Sequence, residues 1–376
     1  MAGRRIVIDG STANRGGGFT YLVNVLPRLL EQAPDWQFRV LLRNEALAAS
    51  LPEAPNLEIE RLPAAGWLGA FAFIYRQAVP LARAWGADLY FSTAEWAPLS
   101  APFPMIASFR NPNAFSQHDH RWPLHQRIRL GTLRRLAGLS AARCARILFV
   151  SEDSARWIGE RMRIPEAHRG VVHHGIDLAV WGTPSPEPRP LAAPYWLSVS
   201  SVYRYKNFVR LIEAWRAAAE LEPGIADLVI VGDPHDGLHM QQMREARAAA
   251  GANASRIHLL GEVPYAEVRA YYAHAHGFVF PSYLETFGHP LVEAMASGLP
   301  TLAADTGVFR ELGGDAVAYA DPHDTAALRD ALLALERDPQ RRATLAAAAR
   351  QRASEFTWER SAERLLALFE ETISER

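Results

Sequence analysis

Short apolar runs alternate with amphipathic helical stretches along the chain. Residues 4–9 predict a first strand, and a loop with three successive glycines at 16–18 follows it. The spacing of Tyr21, Val25 and Leu29 places these residues on one face of a helix that begins after the loop. Further strands of the first half are predicted at Phe38–Leu42, Leu89–Ser92, Met105–Phe109, Ile147–Val150 and Gly170–His174. This alternation is typical of parallel α/β sheets.

A proline-rich segment, residues 183–194, separates two such sets of elements. It holds five prolines in twelve positions, which neither a helix interior nor a central strand accepts, so it is the predicted linker. The first domain is then 1–182 and the second 195–355, and 356–376 form a C-terminal helix. Strands of the second domain are predicted at Tyr195–Val199, Leu228–Val231, Ile257–Leu260, Phe278–Pro281, Thr301–Ala304 and Ala316–Tyr319.

Composition excludes several classes of protein. The 376 residues suit about two domains, and 40 basic against 41 acidic side chains leave no basic excess for coating nucleic acid. A single cysteine, Cys144, excludes an internal disulfide framework and a cysteine-rich zinc site. The N-terminal residues lack the pattern of a signal peptide, and no apolar run approaches the ~20 residues that span a bilayer. We therefore expect a cytoplasmic protein.

Lysine is almost absent from the chain. Lys206 is the sole lysine, and every other one of the 40 basic residues is an arginine. Some sites accept only a compact ammonium and others only the planar guanidinium fork. The count alone leaves two explanations open, a role that retained the ammonium or the chance survival of a surface lysine.

Residues 278–305 carry the most informative pattern. An apolar strand ends there in a loop with Glu285 and Gly288, and a predicted helix at 290–297 contains Glu293. Amides at the helix start suit a phosphate or the oxygens of a sugar, and Gly288 permits a close backbone approach. Carboxylates accept hydrogen bonds from hydroxyl groups, so the two glutamates could border a sugar or ribose site. The alternative is that the first is an acid favoured by the helix dipole and the second lies on a solvated face.

The block PSYLETFGHPLVEAMASGLPTLAAD, with its Glu-x7-Glu pair, closely resembles the signature of the retaining family 4 glycosyltransferases. The resemblance continues through ADLVIVGD, SRIHLLGEVPYAEVRAYYAHAHGFVFPS and GDAVAYADPHD, which cover most of the second half in order. It implies the GT-B fold, in which two Rossmann-like, doubly wound α/β domains hold a nucleotide sugar in the cleft between them. It also implies that the last helix, 356–376, returns to the N-terminal domain.

The same resemblance implies roles for the residues of this block. Glu293 is expected to hold the ribose hydroxyls and Glu285 the transferred sugar. Backbone amides around Thr286, Phe287 and Gly288 are expected to border the sugar and the diphosphate.

Lys206 lies in the stretch SVYRYKN, in the predicted loop after the first strand of the second domain. Such loops cradle phosphates in doubly wound sheets. Members of the family carry a lysine here that meets the diphosphate, usually with an arginine five residues earlier. That earlier position is Ser201, a departure from the family pattern, and Arg204 is the candidate for the missing charge. The alternative for Lys206 is an ordinary surface residue at a helix start.

The first domain both fits and departs from the family. Gly17 and Gly18 match the glycine-rich turn that the family places beside donor and acceptor. Many members carry a His-Asp pair after the strand that corresponds to Met105–Phe109, where this chain has Arg110 and Asn111. Arg110 is therefore a candidate for binding phosphate, and Asn111 for binding the sugar or the acceptor.

The resemblance implies a mechanism that needs no general base. Retaining enzymes of the family are thought to react on one face of the sugar, with the leaving diphosphate accepting the acceptor's proton. Catalysis then consists of positioning and charge stabilisation, which we expect from Glu285, Lys206 and Arg204. The chain has neither an Asp-x-Asp motif nor a histidine-rich cluster, so no metal is predicted, and no cofactor beyond the nucleotide-sugar substrate.

The acceptor side is expected in the basic half. Residues 1–182 hold 21 arginines and 15 acidic residues, and the stretch between His120 and Ser151 has seven arginines and no acid. His118 is an acceptor candidate, although a polar loop also explains it together with Asp119 and His120. Basic positions expected on the outside of helices are Arg127, Arg134, Arg135 and Arg143, over an apolar face of Leu130, Leu133, Leu136 and Leu139.

These arginines and the apolar segment 66–75 suit peripheral contact with the inner face of an anionic membrane, as a polyprenyl-linked acceptor would require. The alternative is a solvated arginine face over an ordinary core helix.

The sequence thus predicts a retaining glycosyltransferase of bacterial surface polysaccharide synthesis, such as lipopolysaccharide. GDP-mannose is the preferred donor because VIDGSTANRGGG and SVYRYKN look closest to mannosyltransferase relatives, and UDP-sugars remain alternatives. The acceptor is a glycan or a polyprenyl-linked sugar. Rival functions are a nucleotide-sugar epimerase or phosphorylase on the same fold, and a non-catalytic protein that binds sugar nucleotides.

Overall fold

The structure, a computed structural model, describes residues 3–13, 16–116 and 124–375. The chain folds as two compact units. The first unit combines Met1–Gly175 with Trp358–Arg376, and the second is Ile176–Thr357.

The first unit is built on a seven-stranded sheet whose strands all run parallel, in the order β3-β2-β1-β4-β5-β6-β7. The strands are β1 (Arg5–Asp9), β2 (Gln37–Leu42), β3 (Leu57–Arg61), β4 (Leu89–Ser92), β5 (Met105–Ser108), β6 (Arg146–Phe149) and β7 (Arg169–Val171). Strand β3 was not predicted, because three of its five residues are charged and only one face of this edge strand meets the core. The remaining six follow the apolar runs because both faces of a parallel sheet are covered.

Six helices cover this sheet before the chain enters the second unit. They are α1 (Gly17–Gln32), α2 (Glu45–Ala49), α3 (Trp67–Arg76), α4 (Ala78–Trp85), α5 (Leu124–Ala141) and α6 (Glu152–Met162). Helix α1 buries the predicted stripe of Tyr21, Val25 and Leu29. Its apolar face packs in one core with strands β1 and β2.

The second unit has a six-stranded parallel sheet in the order β10-β9-β8-β11-β12-β13. Its strands are β8 (Tyr195–Val199), β9 (Asp227–Val231), β10 (Ile257–Gly261), β11 (Gly277–Phe280), β12 (Thr301–Ala304) and β13 (Ala318–Ala320). Its helices are α7 (Leu178–Trp181), α8 (Phe208–Leu221), α9 (Gly237–Ala248), α10 (Tyr265–His274), α11 (His289–Ala296), α12 (Gly307–Gly313), α13 (Thr325–Glu336) and α14 (Pro339–Ala353). All six strands overlap the apolar runs that predicted them.

The proline-rich segment 183–194 lies inside the second unit. Arg269 of α10 donates to the carbonyl oxygen of Thr183 at 3.1 Å, and the ring of His274 lies 3.2 Å from the carbonyl oxygen of Glu187. These bonds hold the segment on the helix, so the segment does not separate the two units.

The C-terminal helix, α15 (Trp358–Ser374), belongs to the first unit. It buries Trp358, Leu365 and Phe369 in the core that also contains the stripe of α1. Arg4 and Glu370 form an ion pair at 2.7 Å between the start of β1 and this helix. Among the residues that the structure describes, no helix combines the length and the apolar character that crossing a membrane requires.

Each sheet has one point where the chain order of its strands reverses. In the first sheet this point lies between β1 and β4, and in the second between β8 and β11. Loops at the carboxyl ends of such neighbouring strands diverge and leave a crevice, which is where open α/β sheets bind ligands. The loops after β1, β4, β8 and β11 are therefore where a site is expected in each unit.

Candidate functional site

The loops that follow β8 and β11 are bonded to each other. Asn207 lies between the loop after β8 and helix α8, with a left-handed backbone (φ +65°) that asparagine tolerates better than most residues. Its side-chain amide donates to the carbonyl oxygens of Pro281 (3.2 Å) and Pro322 (2.7 Å). The amide of Tyr283 donates to the carbonyl oxygen of Tyr205 at 3.0 Å. These bonds fix the two loops side by side.

This framework brings the sole lysine against the first glutamate of the motif. Lys206 Nζ donates to Glu285 Oε1 at 2.5 Å, and each side chain is only 10% exposed. The ammonium also lies 5.2 Å from the ring centre of Tyr205 and 5.5 Å from that of Phe280. Because a buried charge is costly unless it is paired, the two groups stabilise each other in a largely dehydrated place.

The turn before α11 needs glycine. Gly288 has φ +97°, and a Cβ there would lie 2.8 Å from Phe309 and 3.3 Å from Phe280. The neighbouring Thr286 and Phe287 are buried. The chain thus enters the helix through a tightly packed left-handed turn, directly after Glu285.

Glu293, the second glutamate of the motif, lies on α11 and is buried with 8% exposure. Its Oε2 accepts a hydrogen bond from the hydroxyl of Tyr272 at 3.1 Å. A solvated face, the alternative weighed for this residue, is therefore wrong. The motif holds one glutamate in an ion pair and the other in a hydrogen bond from a tyrosine.

Ser201 and Arg204, the other candidates in the loop after β8, are half-buried. Burial lowers the pKa of His239, and the charge of Arg204 lowers it further. Burial raises the pKa of Tyr283, and the charge of Arg204 opposes this. Arg204 therefore adds positive potential to the same pair of loops as Lys206.

In the first unit, the glycine loop leads directly into α1. Gly16 has φ +64°, and Gly17 and Gly18 form the first turn of the helix. The amides at this helix start lie at the carboxyl edge of the sheet, beside the switch point between β1 and β4. The glycines are in the place that a phosphate-binding loop would take.

Arg110 and Asn111 follow β5 and are held by the loop that follows β4. The amides of both residues donate to Glu95 Oε1, at 3.4 and 3.0 Å, and a guanidinium nitrogen of Arg110 donates to the carbonyl oxygen of Thr93. The guanidinium also lies 4.6 Å from the ring centre of Tyr21. The side-chain oxygen of Asn111 accepts from the amide of Asn113 at 3.1 Å. The bonds of Arg110 and Asn111 thus stabilise the conformation of the loops after β4 and β5.

Burial governs the ionisation of this group. It raises the pKa of Glu95, although the positive charge of Arg110 and the backbone amides oppose the rise. It also lowers the pKa of the Arg110 guanidinium and raises the pKa of Tyr21 to about 12. Tyr21, Glu95 and Arg110 thus form a largely dehydrated polar cluster, in which the carboxylate of Glu95 accepts hydrogen bonds from two backbone amides.

The remaining acceptor predictions have mixed outcomes. His118, Asp119 and His120 lie outside the described residues. In segment 66–75, Phe73 and Ile74 are buried in the core of the first unit. The predicted apolar face of α5 is partly wrong, because Leu136 is buried but Leu139 is 47% exposed.

The outer side of α5 is both apolar and basic. Leu124 is 70% exposed and Ile128 is 62% exposed. The exposed charges of the helix are Arg127, Arg129, Arg134 and Arg135, and the helix has no acidic residue.

Sequence reasoning missed three residues of these sites, Glu95, Asn207 and Tyr272. No short motif marks them, since each forms its hydrogen bonds with residues that are distant in the chain. Glu95 accepts from the amides of residues 110 and 111, Asn207 donates to residues 281 and 322, and Tyr272 donates to Glu293. Only the asparagine gave a local signal, because it stands directly before a predicted helix at a position where a left-handed residue is common.

The chain has two doubly wound parallel sheets, and a buried lysine and two glutamates lie around the switch point of the second. These features define an α/β protein of the class that binds nucleotides and other phosphate-bearing ligands at the ends of its strands. Two family patterns cover most of the chain. Residues 15–180 match Glycosyltransferase Family 4, and residues 184–352 match Glycosyl transferases group 1. The chain belongs to this family of glycosyltransferases.

Individual relatives agree with this assignment. The chain is 31% identical over 244 residues to the D-inositol 3-phosphate glycosyltransferase of Nocardiopsis dassonvillei, a match that covers 60% of this chain and 55% of the relative. It is 24% identical over 207 residues to the O-antigen chain mannosyltransferase RfbU of Salmonella typhimurium, with 54% of each chain covered. The matches thus span about half the length of these relatives.

Among solved structures, Anabaena HepE in complex with UDP and glucose matches with a TM-score of 0.76 at 19% identity, covering 98% of this chain and all of HepE. At this identity the likeness concerns the fold alone. The predicted GT-B class, with two parallel-sheet α/β domains, is confirmed.

Proposed function

We propose that the protein is a retaining glycosyltransferase that moves a sugar from a nucleotide sugar to a glycan or a polyprenyl-linked acceptor. One observation carries the proposal. Lys206 and Glu285, which the family motif assigns to the diphosphate and to the transferred sugar, lie 2.5 Å apart at the switch point of the second sheet. In a nucleotide sugar the diphosphate is bonded directly to the sugar, so an ammonium for the diphosphate and a carboxylate for the sugar are expected side by side.

Each residue then has a part in holding the donor. Lys206 and Arg204 neutralise the diphosphate, and amides of residues 286–288 bind its oxygens or those of the sugar. Glu293 holds ribose hydroxyls, since a carboxylate accepts hydrogen bonds from two neighbouring hydroxyls. Lys206 Nζ, which is bonded to Glu285 Oε1, can also donate to phosphate oxygens because an ammonium has three donors. Ser201, in the loop that also carries Lys206, completes the donor contacts of the second unit.

The reaction breaks the bond between the anomeric carbon and a phosphate oxygen and forms a bond from the acceptor hydroxyl to the same carbon on the same face. The acceptor proton passes to the leaving phosphate oxygen, so the step needs no protein base. The residues of this chain contribute position and positive charge where negative charge develops on the leaving group.

Mannose from GDP-mannose is the donor that we propose, and a bacterial surface polysaccharide is the product. The similarity to a protein described as an O-antigen chain mannosyltransferase supports both choices. UDP-sugars are the alternative, supported by the fold likeness to a protein whose structure holds UDP and glucose.

The test is a screen of thermal midpoints with GDP, UDP and ADP and with their sugars. It is followed by an assay of nucleoside diphosphate release with a polyprenyl-diphosphate-linked monosaccharide as acceptor. We expect one nucleotide to raise the midpoint and its sugar to be transferred with the anomeric configuration kept, as read by NMR of the product. A chain that no nucleotide stabilises would refute the proposal, and binding without turnover would favour a non-catalytic sugar-nucleotide protein.

We further propose that α5 contacts the cytoplasmic face of an anionic membrane, where a polyprenyl-linked acceptor resides. Exposed Leu124 and Ile128 can enter the interfacial region while the four arginines of the helix meet anionic head groups. The absence of acidic residues from this helix favours a negatively charged partner over solvent.

Vesicle flotation tests the membrane contact. The wild type is expected to float with vesicles that contain phosphatidylglycerol and to remain behind with pure phosphatidylcholine. Replacing Leu124 and Ile128 by serine should weaken vesicle binding by up to about 10³-fold, because each fully buried apolar side chain contributes about 2 kcal/mol. Leu221→Ser is the control, since Leu221 is also largely exposed (57%) but lies on α8 in the second unit. Flotation that the double variant leaves unchanged would contradict the contact.

A further inference from the structure

The second glutamate of the motif is held by a tyrosine from a different helix. Tyr272 lies on α10 with no solvent exposure, and its hydroxyl donates to Glu293 Oε2 at 3.1 Å. The carbonyl oxygen of Pro290 lies farther from the hydroxyl, at 3.5 Å. Of these two acceptors, the carboxylate is the better placed for the hydroxyl proton.

The ring of Tyr272 is fixed on two sides. Phe278 of β11 is stacked against it with 5.3 Å between ring centres, and Trp181 of α7 meets it edge-on at 5.1 Å and 80°. Aromatic rings in such arrangements attract each other and leave no room for the ring to turn away. The direction of the hydroxyl is thus set by packing before any ligand arrives.

A carboxylate on a helix can rotate about its side-chain bonds unless something holds it. Glu293 is 8% exposed, so it meets little water that could solvate alternative orientations. A hydrogen bond to an ionised carboxylate is among the stronger hydrogen bonds of proteins, and here it comes from a donor that cannot move. The orientation of Glu293 is therefore predetermined by Tyr272.

We infer that Tyr272 is a positioning residue that makes the site selective for nucleotides with intact ribose hydroxyls. The inference rests on the proposed function, in which Glu293 receives those hydroxyls. Tyr272 acts through the carboxylate and does not touch the ligand itself. Its loss should weaken the contact to ribose while leaving the diphosphate contacts of Lys206 unchanged.

The test compares Tyr272→Phe with the wild type, using the nucleoside diphosphate that the wild type binds most tightly and its 2′-deoxy and 3′-deoxy forms. Calorimetry measures each dissociation constant. We expect the variant to bind the ribonucleotide about tenfold more weakly, each monodeoxynucleotide less weakened than that, and the 2′,3′-dideoxy form, measured alongside them, as tightly as the wild type binds it, because preorganisation matters only where the contact exists. With donor sugar, the KM for the donor should rise while kcat changes little.

Tyr195→Phe is the matched control. Tyr195 is also completely buried, and its hydroxyl donates to a backbone carbonyl of α10, that of Tyr271, at 2.9 Å. The Tyr195→Phe variant also removes one tyrosine hydroxyl that is bonded to α10, but this hydroxyl is not bonded to Glu293. This variant should keep the wild-type ratio between ribo- and deoxynucleotide affinities.

A second variant covers the case in which Tyr272→Phe does not fold. Trp181→Phe keeps the hydroxyl but loosens the ring, and it should cause a smaller loss that again spares the dideoxynucleotide. Equal weakening of ribo- and dideoxynucleotides, in whichever variant folds, would overturn the inference. Failure of the wild type to bind any nucleotide would instead refute the proposed function.

Discussion

The loops at the switch points of the two sheets have equivalent places but use their polar side chains differently. In the second unit, Asn207 and backbone bonds build the frame, and the charged side chains of Lys206 and Glu285 meet within it. In the first unit, the charged side chains themselves form the frame: Glu95 and Arg110 are bonded to the backbone of the neighbouring loop. The comparison teaches that charged side chains at equivalent places in two sheets can either pair with each other, as in the second unit, or bond the backbone of a neighbouring loop, as in the first.

The two units also differ in how much of their frame a short sequence motif can mark. A frame made by backbone and a few small or amide side chains leaves the ligand-facing residues as a recognisable pattern, which here is Glu-x7-Glu with a lysine before it. A frame made by side chains from separate loops has no spacing in the chain. Residues 110 and 111, where the chain departs from the family pattern, belong to such a frame.

The largest expected effect comes from removing the lysine. Lys206→Ala should lower kcat/KM by about 10²–10³-fold, as expected when a charge-stabilising donor is lost from a dehydrated site. It also leaves Glu285 as a buried carboxylate without its cation. Steady-state kinetics and donor titration measure the effect.

Arg337→Ala is the control for this variant, because its side chain is 54% exposed and makes only a surface ion pair with Glu222 at 2.9 Å. Lys206→Arg separates charge from shape: a guanidinium keeps the charge but has a different geometry from the ammonium. Wild-type kinetics in Lys206→Ala would show that the lysine of the second unit has no part in donor binding or catalysis, and this would remove the difference between the two units.

A smaller effect is expected in the first unit. Glu95→Ala leaves the amides of Arg110 and Asn111 without their acceptor, which costs about 1–3 kcal/mol for buried groups. This corresponds to a fall in the thermal midpoint by roughly 2–12 °C, since about 1 kcal/mol shifts a domain of this size by about 2–4 °C.

Glu95→Gln keeps an oxygen in the same place and should recover most of the stability. If the charge of Glu95 were what mattered, the glutamine variant would be as unstable as the alanine variant. A strong loss of donor affinity in either variant would also break the comparison, because it would give the first-unit frame a direct part in donor binding.

The smallest effect on stability is expected at the amino-terminal ends of the strands of the second sheet, away from the loops after β8 and β11. Glu336 accepts from the indole of Trp196 at 2.6 Å and lies 3.3 Å from the ring of His276. Burial alone would raise the pKa of Glu336, but the nearby ring of His276 and the hydrogen bond from Trp196 outweigh it and leave the pKa below its ordinary 4.5.

A carboxyl whose pKa is lowered by folding stabilises the protein above about pH 4.5, and this contribution is lost as the pH falls through the lowered value. Glu336→Gln should therefore be less stable than the wild type at pH 6, by about 1 kcal/mol, and the two should converge towards pH 3. Thermal midpoints over this range measure it, and donor affinity at pH 6 should not change. A gap that stays constant with pH would show that the charge has no part in it.

Much of the fold follows from local pattern. Twelve of the thirteen strands overlap predicted apolar runs, because strands of a covered parallel sheet are apolar on both faces. Strand β3 escaped prediction since an edge strand with three charges has no such run. The proline-rich segment was interpreted from composition alone, and the bonds from Arg269 and His274 that hold it on α10 involve residues about 85 positions away.

The sequence by itself determined the class of the protein and the residues of its motif, because periodic burial, the Glu285–Glu293 spacing and the short stretch around Lys206 are each properties of a local segment. Only the tertiary structure decided which of these groups touch and what orients them. The Lys206–Glu285 pair joins residues that are 79 positions apart, and Tyr272 reaches Glu293 from another helix. The physical reason is that strand order places distant loops at one edge of a sheet, and the spacing of residues in the chain contains no record of that order.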